Sequence, residues 1–389
     1  MKLFFTSFSL VFFLFIACKP SQKSSISTVE GKQENREVDL KARSANQAPK
    51  NIIIMIGDGM GLTQTTAAMY VNGNKIAFER FPVVGLHKSY SSDNLVTDSA
   101  AGATAFSCGK KTYNGAIGVD PDTVACSTLL ENAAALGMPT GLIATSTIVH
   151  ATPAAFFGHE ALRSSYENIA LQLADSKVDF FVGGGKKFFD QRESDQRNLI
   201  IEMEAKGRQV DDYFETPFEQ VDIDPLQQFG YFTANDDPLP VAQGRNYLIP
   251  ATEKALQYLD KRDVADEGFF LMIEGSQIDW GGHANLSEYI ISETIEFSNA
   301  VDKVLDFAEA DEETLVIITA DHETGGYAIG YGSKQDSIIG AFTSDYHTGT
   351  MIPVYAYGPG SEDFSGIYEN TAIYDKLVQY VKSSISRKN

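Results

Sequence analysis

The chain has 389 residues, 43% of them hydrophobic, with 52 acidic against 31 basic side chains and a formal net charge of −21. No basic patch is visible that would neutralise a phosphate backbone, which disfavours nucleic-acid binding as a role. The three cysteines show no Cys-x-x-Cys spacing, so a thiolate zinc site is disfavoured as well.

The elements follow in chain order. Residues 1–17 carry Lys2 and then an apolar run through Ile16 and Ala17, followed at once by Cys18. That pattern reads as an export signal with a lipoprotein-type cleavage site, although Phe15 stands where such sites usually have Leu. A transmembrane helix is the alternative, and the shortness of the run and its abrupt end at Cys18-Lys19-Pro20 argue against it. Cleavage removes only Lys2 among charged residues, so the mature chain carries −21 less one positive charge, or −22. Residues 18–48 are rich in Ser, Lys, Gln and Glu, the composition of a disordered tether.

A catalytic domain is expected over 49–389. The apolar run at 51–56 predicts a buried strand, followed by a helix over 62–70. A strand over 140–144 and a helix over 162–175 come next, then a strand over 178–182 and a helix over 191–206. The stretch near 207–250 is acidic, proline-bearing and poor in periodicity, and reads as an insertion over the site edge. Strands over 269–273 and 315–319 flank a helix over 288–310. A second insertion is read near 330–345, before a last strand over 353–357 and a closing helix over 372–384. Alternation of apolar strands with helices predicts an α/β three-layer sandwich whose central sheet is largely parallel.

The chemistry sits where those strands end. The first runs into Gly57-Asp58-Gly59, the 269–273 strand into Glu274 through Asp279 to His283, and the 315–319 strand into Asp321-His322. Loops at the carboxyl ends of parallel strands gather on one edge, so these acids and imidazoles can converge. Any one of the six histidines is readily a surface or core residue. His283, His322 and His347, however, lie beside acids, glycines or hydroxyls, and oxygen-plus-imidazole sets without thiolate suit zinc, with magnesium for a purely oxygen-lined neighbour. Asp98-Ser99 opens a run of small residues, Ala100-Ala101-Gly102-Ala103. Alone this is a plain helix cap; beside a metal cluster it is where a nucleophile would stand, because helix starts favour an alkoxide and an incoming anion.

Asp58 in its Gly-Asp-Gly setting, Thr97-Asp98-Ser99-Ala100, Ala151-Thr152-Pro153-Ala154-Ala155 with Arg163 downstream, Glu274 through Asp279 to His283, Asp321-His322, and His347-Thr348-Gly349 together resemble the bacterial alkaline phosphatases. They span the chain from about residue 51 to 360, in the family's order. The resemblance implies the alkaline phosphatase fold, hydrolysis of small phosphate monoesters through a phosphoserine on Ser99, and a three-metal site. One zinc would be held by Asp58, Asp321 and His322 next to Ser99; a second by Asp279, His283 and His347; a magnesium by Asp58, Thr152 and Glu274. Arg163 would clamp the phosphate oxygens, as a planar guanidinium forks onto two of them. The metals and Arg163 would form a local positive focus within an acidic chain.

Two positions depart from the enterobacterial pattern: His150 and Trp280 stand where an Asp and a Lys are found near the magnesium and the phosphate, a pair that also occurs in one bacterial branch of the family. The resemblance further implies a homodimer. Membrane contact is expected only through a lipid at Cys18, in the periplasm or at the extracellular face. Cys108 and Cys126 would then remain, and their spacing leaves a disulfide open. A sulfatase is disfavoured because Ser99-Ala100-Ala101-Gly102 lacks the Pro and Arg of its Cys/Ser-x-Pro-x-Arg setting, and the related diesterases usually present Thr. A lipid-anchored protein that stores zinc or captures phosphate without turnover is the rival of another class, and continuous product release from a nitrophenyl phosphate separates the two.

Overall fold

The computed structural model describes residues 48–383. The export signal, Cys18 and the tether up to residue 47 lie outside the described residues. Strand β1, Asn51–Gly57, shows how this sequence makes its fold, because every residue of NIIIMIG is buried. Ile53 and Met55 enter the apolar core on one face of the sheet, and Ile52, Ile54 and Ile56 enter the core on the other. A strand covered on both faces needs an unbroken apolar run, and each fully buried isoleucine contributes roughly 1.5–3 kcal/mol.

The further strands are Val83–Lys88 (β2), Thr140–Thr147 (β3), Phe180–Gly184 (β4), Gln209–Asp212 (β5), Phe229–Phe232 (β6), Phe270–Gly275 (β7) and Thr314–Thr319 (β8). Four two-residue strands follow, Glu323–Thr324 (β9), Ala328–Ile329 (β10), Gly340–Ala341 (β11) and His347–Thr348 (β12), and then Ile352–Tyr357 (β13) and Gly366–Glu369 (β14). Ten of them form one sheet in the order β14-β2-β13-β8-β1-β7-β3-β4-β6-β5. It is parallel except at β13, which runs against both β8 and β2. Helices Leu62–Val71, Leu248–Arg262 and Ser287–Asp311 pack on one face. Ser99–Cys108, Leu129–Ala135, Tyr166–Asp175 and Thr371–Ser383 cover the other, completing the three layers.

Register is what positions the site. Ile56 of β1 pairs with Glu274 of β7 on one side and Thr319 of β8 on the other, and Ala144 of β3 also pairs with Glu274. The loops after β1, β3, β7 and β8 therefore leave the sheet side by side.

Several boundaries differ from the sequence reading. The helix expected over 191–206 forms only at Leu199–Ala205. Upstream, the buried Arg192 guanidinium donates to the Glu167 and Phe188 carbonyls and to Asp195, and Asn198 caps the helix by accepting from Ile200 N and Ile201 N. Such side-chain bonds compete with helical ones. The helix expected from 162 starts at Tyr166, leaving Arg163 in the preceding turn. The stretch 207–250, read as lacking periodicity, supplies β5 and β6; four residues are too few to show a period, yet FGYF of β6 is wholly buried between β4 and β5. Within 330–345, β11 pairs with β10.

Candidate active site

Asp58, Glu274, Asp321 and His322 are all fully buried at the carboxyl edge of the sheet. Gly59, at φ +70, permits the approach of these loops: a Cβ there would sit 2.7 Å from the Asp279 Cα. Its N–H donates to Asp321 Oδ1 at 3.2 Å. Gly102 has the same role on the helix side, where a Cβ would come within 2.9 Å of that of Asp321.

Ser99 is the first residue of Ser99–Cys108, and the cap is Asp98, whose Oδ1 accepts from Ala101 N at 3.0 Å. The capping role thus falls to Asp98, and the Ser99 hydroxyl turns to His322, with Oγ 3.4 Å from Nε2. Asp98 Oδ2 accepts from Arg163 Nη1 at 3.0 Å, and Arg163 Nη2 lies 3.2 Å from His150 Nε2. Burial, and then the Arg163 charge, push His150 down to about 3, so the neutral ring accepts from the guanidinium. Two residues on separate loops hold the Arg163 fork beside Ser99.

Among the described residues, three groups can hold metal ions: Asp58, Asp321 and His322; Asp279, His283 and His347; and Asp58, His150 and Glu274. Thr152 Oγ1 lies 3.5 Å from Asp58 Oδ2. In the second group the His283 and His347 Nε2 atoms face each other at 3.1 Å. Each ring's Nδ1 lies against a backbone carbonyl, Asp345 O at 2.7 Å and Thr97 O at 2.8 Å. Donation from both Nδ1–H groups leaves both Nε2 lone pairs directed at one point, an arrangement suited to a shared cation.

The carboxylates point the same way. Asp58 Oδ1, Glu274 Oε1 and Asp321 Oδ2 are buried without a hydrogen-bond partner. Burial raises all three groups: Asp58 well above its ordinary value, with Asp321 and Asp279 adding repulsion, Glu274 to about 8 and Asp321 to about 7. So many unpaired carboxylates are stable as anions only around cations, and the donor set fits zinc at the first two groups and a harder ion at the third, where Asp58 and Glu274 outnumber His150. Unmetallated, the His283 Nε2 instead keeps a proton: against the cost of burial, its hydrogen bond holds Asp279 below the usual carboxylate range, while burial holds His322 and His347 below their ordinary values. The hydrogen bond to Asp279 raises His283 to about 9.

A family model described as alkaline phosphatase matches residues 49–341. The chain belongs to the alkaline phosphatase family. It is 34% identical to alkaline phosphatase 3 of Bacillus subtilis, over 92% of this chain and 95% of that one. The structure of the alkaline phosphatase from the Antarctic bacterium TAB5 is 42% identical, covers 86% of this chain and 98% of its own, and superposes with a TM-score of 0.81. A histidine-to-aspartate mutant of the TAB5 enzyme, with Mg bound in the M3 site, matches at 41% identity, 86% and 99% coverage, and a TM-score of 0.81. The present enzyme is therefore a metal-dependent phosphate monoester hydrolase.

Asp58, Ser99, His150, Thr152, Arg163, Glu274, Asp279, Trp280, His283, Asp321, His322 and His347 all lie at this edge, whereas Cys18 lies outside the described residues. Trp280 is half-buried, edge-on to His150 with ring centroids 6.3 Å apart. His87 and His159 are structural: one ring contacts Ala320 O at 2.9 Å, the other Glu131 Oε1 at 3.0 Å. Cys108 and Cys126 are free thiols. Three residues carry roles that the sequence reading did not assign. Asp98 is one. Thr324 is another, its hydroxyl hydrogen-bonding Asp279 Oδ1 and lying 3.2 Å from His322 Nδ1, so that it links two metal groups. The third is Glu323, which accepts from Gln64 Nε2, Tyr327 N and the Thr348 hydroxyl and ties the His322 loop to β12. Thr324 and Glu323 directly follow Asp321-His322, and that adjacency was the available signal.

Proposed function

We propose that this phosphatase works through a covalent phosphoserine on Ser99, with two zinc ions and one magnesium per chain. The observation that carries the reading is the Ser99 hydroxyl at a buried helix start, against His322 and beside the held Arg163 fork. Asp58, Asp321 and His322 hold one zinc, Asp279, His283 and His347 the other, and Asp58, Thr152 and Glu274 the magnesium, with His150 adjoining. These ions supply charge stabilisation for the entering and leaving oxygens of an in-line displacement.

Arg163 binds two non-bridging phosphate oxygens, turned toward them by Asp98 and His150. Ser99 Oγ attacks phosphorus, the ester P–O bond breaks, and the alcohol leaves on the side opposite Ser99. Water then cleaves the phosphoserine, releasing inorganic phosphate and restoring the hydroxyl. The N–H groups at the start of the Ser99 helix favour the anionic phosphoryl group throughout. His150 and Trp280 mark the branch of the family that carries this pair; in the TAB5 enzyme a histidine-to-aspartate mutant has Mg bound in the M3 site. The enzyme is exported, anchored by a lipid on Cys18 and dimeric; among the described residues no helix is long and apolar enough to cross a membrane. Elemental analysis coupled to acid-quench trapping of labelled phosphate tests the core of this reading: two zinc ions per chain and a phosphorylated Ser99 are expected, and turnover without either overturns it.

A further inference from the structure

Three rings form a stack leading out of the site. His322, which touches Ser99, lies parallel to His347 with centroids 3.5 Å apart, and His347 lies parallel to Tyr346 at 4.5 Å and 11°. Tyr346 also meets His283 at 5.9 Å. The inner rings are buried, whereas Tyr346, with one face against His347, is 50% exposed. Its backbone is held by Ser344 Oγ on Tyr346 N at 2.9 Å and by Gly325 N on Tyr346 O at 2.9 Å. Among the described residues its hydroxyl has no partner, so hydrogen bonding does not explain why an aromatic ring is kept at this mouth.

In-line displacement sends the leaving group away from Ser99. Ser99 adjoins His322, so the departing side is that of Asp279, His283 and His347, and the next ring outward is Tyr346. We propose that half-exposed Tyr346 is a stacking subsite for the planar base of a nucleoside 5′-monophosphate, making this residue a determinant of leaving-group preference. The proposal rests on Ser99 as nucleophile. A base stacked there adds binding in the step that breaks the ester bond and therefore raises kcat/KM. Offset aromatic stacking corresponds to about a two- to ten-fold effect.

Adenosine 5′-monophosphate and ribose 5-phosphate share the same ester oxygen and differ only in the base, so the ratio of their kcat/KM values isolates the subsite. The metal-loaded wild-type enzyme is expected to favour the nucleotide by about two- to ten-fold. Tyr346→Phe keeps that ratio, and Tyr346→Ala brings it to about one. The inhibition constant for inorganic phosphate, which has no leaving group, stays the same in both variants. A wild-type ratio of one overturns the proposal, as does a ratio that survives Tyr346→Ala. So does a Tyr346→Ala variant in which both substrates and phosphate inhibition change together, because the ring would then only prop His347. Failure of the phosphoserine reading shows separately, as turnover without labelled Ser99.

Discussion

Replacing Ser99 by alanine separates two roles that a hydroxyl can have at a helix start. The cap belongs to Asp98, whose Oδ1 holds Ala101 N at 3.0 Å, so Ser99→Ala leaves the helix terminus intact. The hydroxyl's side-chain contact is a single 3.4 Å approach to His322 Nε2, and its loss changes stability by about 0.5–1.5 kcal/mol. Asp98→Ala instead removes the cap and the 3.0 Å ion pair to Arg163, with cap loss alone costing about 0.5–2 kcal/mol. The expected pattern is a Ser99→Ala enzyme that melts within about 2 °C of wild type, keeps its metals, and loses phosphoserine formation with at least about a 10³-fold fall in kcat. Asp98→Ala melts lower and retains a labelled serine. Acid-quenched incorporation of phosphate and thermal melts on the same preparations read both quantities. Wild-type-like turnover in folded Ser99→Ala, or a melting loss as large as that of Asp98→Ala, refutes the reasoning.

Stripping the metals should give a pH-dependent apoprotein. Glu274 at about 8 and Asp321 at about 7 stand above their unfolded values of about 4, whereas burial holds His87 at about 4 and His150 at about 3, below an unfolded value of about 6.5; the two effects oppose each other at lower pH, and the folded apoprotein binds more protons than the unfolded chain between about pH 7 and 8. Its stability must fall as pH rises through that window; chelated protein whose melting temperature is flat or rising from pH 7 to 8 contradicts the charge balance of the site. His283→Ala and His347→Ala should each lose one zinc per chain, whereas His87→Ala and His159→Ala, whose rings are engaged by Ala320 and Glu131, should keep both. Equal zinc contents across the four would remove the assignment. Trp280→Lys should lower the inhibition constant for phosphate and kcat together, since a cation near the phosphate slows product departure; a lower melting temperature with unchanged phosphate inhibition would assign the ring to packing.

Much of this enzyme is written locally. An unbroken apolar run such as that of β1 announces a strand buried on both faces, and Asp58, Glu274, Asp321 and His322 stand directly after such runs, so the metal-bearing edge was legible from spacing and strand polarity. The family resemblance extended that reading to Thr152 and Arg163, whose own neighbourhoods are unremarkable. What tertiary structure alone decided is how these pieces meet. β5 and β14 are edge strands of four residues, partly exposed, and too short to impose a period. The helix near 199 was cut back by Arg192 and Asn198 bonds that pattern does not reveal. Which residue of Asp98-Ser99 caps and which reacts, how His150 and Asp98 share Arg163, and why Thr324 links Asp279 to His322 all depend on contacts between distant segments. Those contacts follow from the register of β1 against β7 and β8: parallel pairing aligns strand ends from remote parts of the chain to within a residue, and side chains a few ångströms long translate that alignment into chemistry.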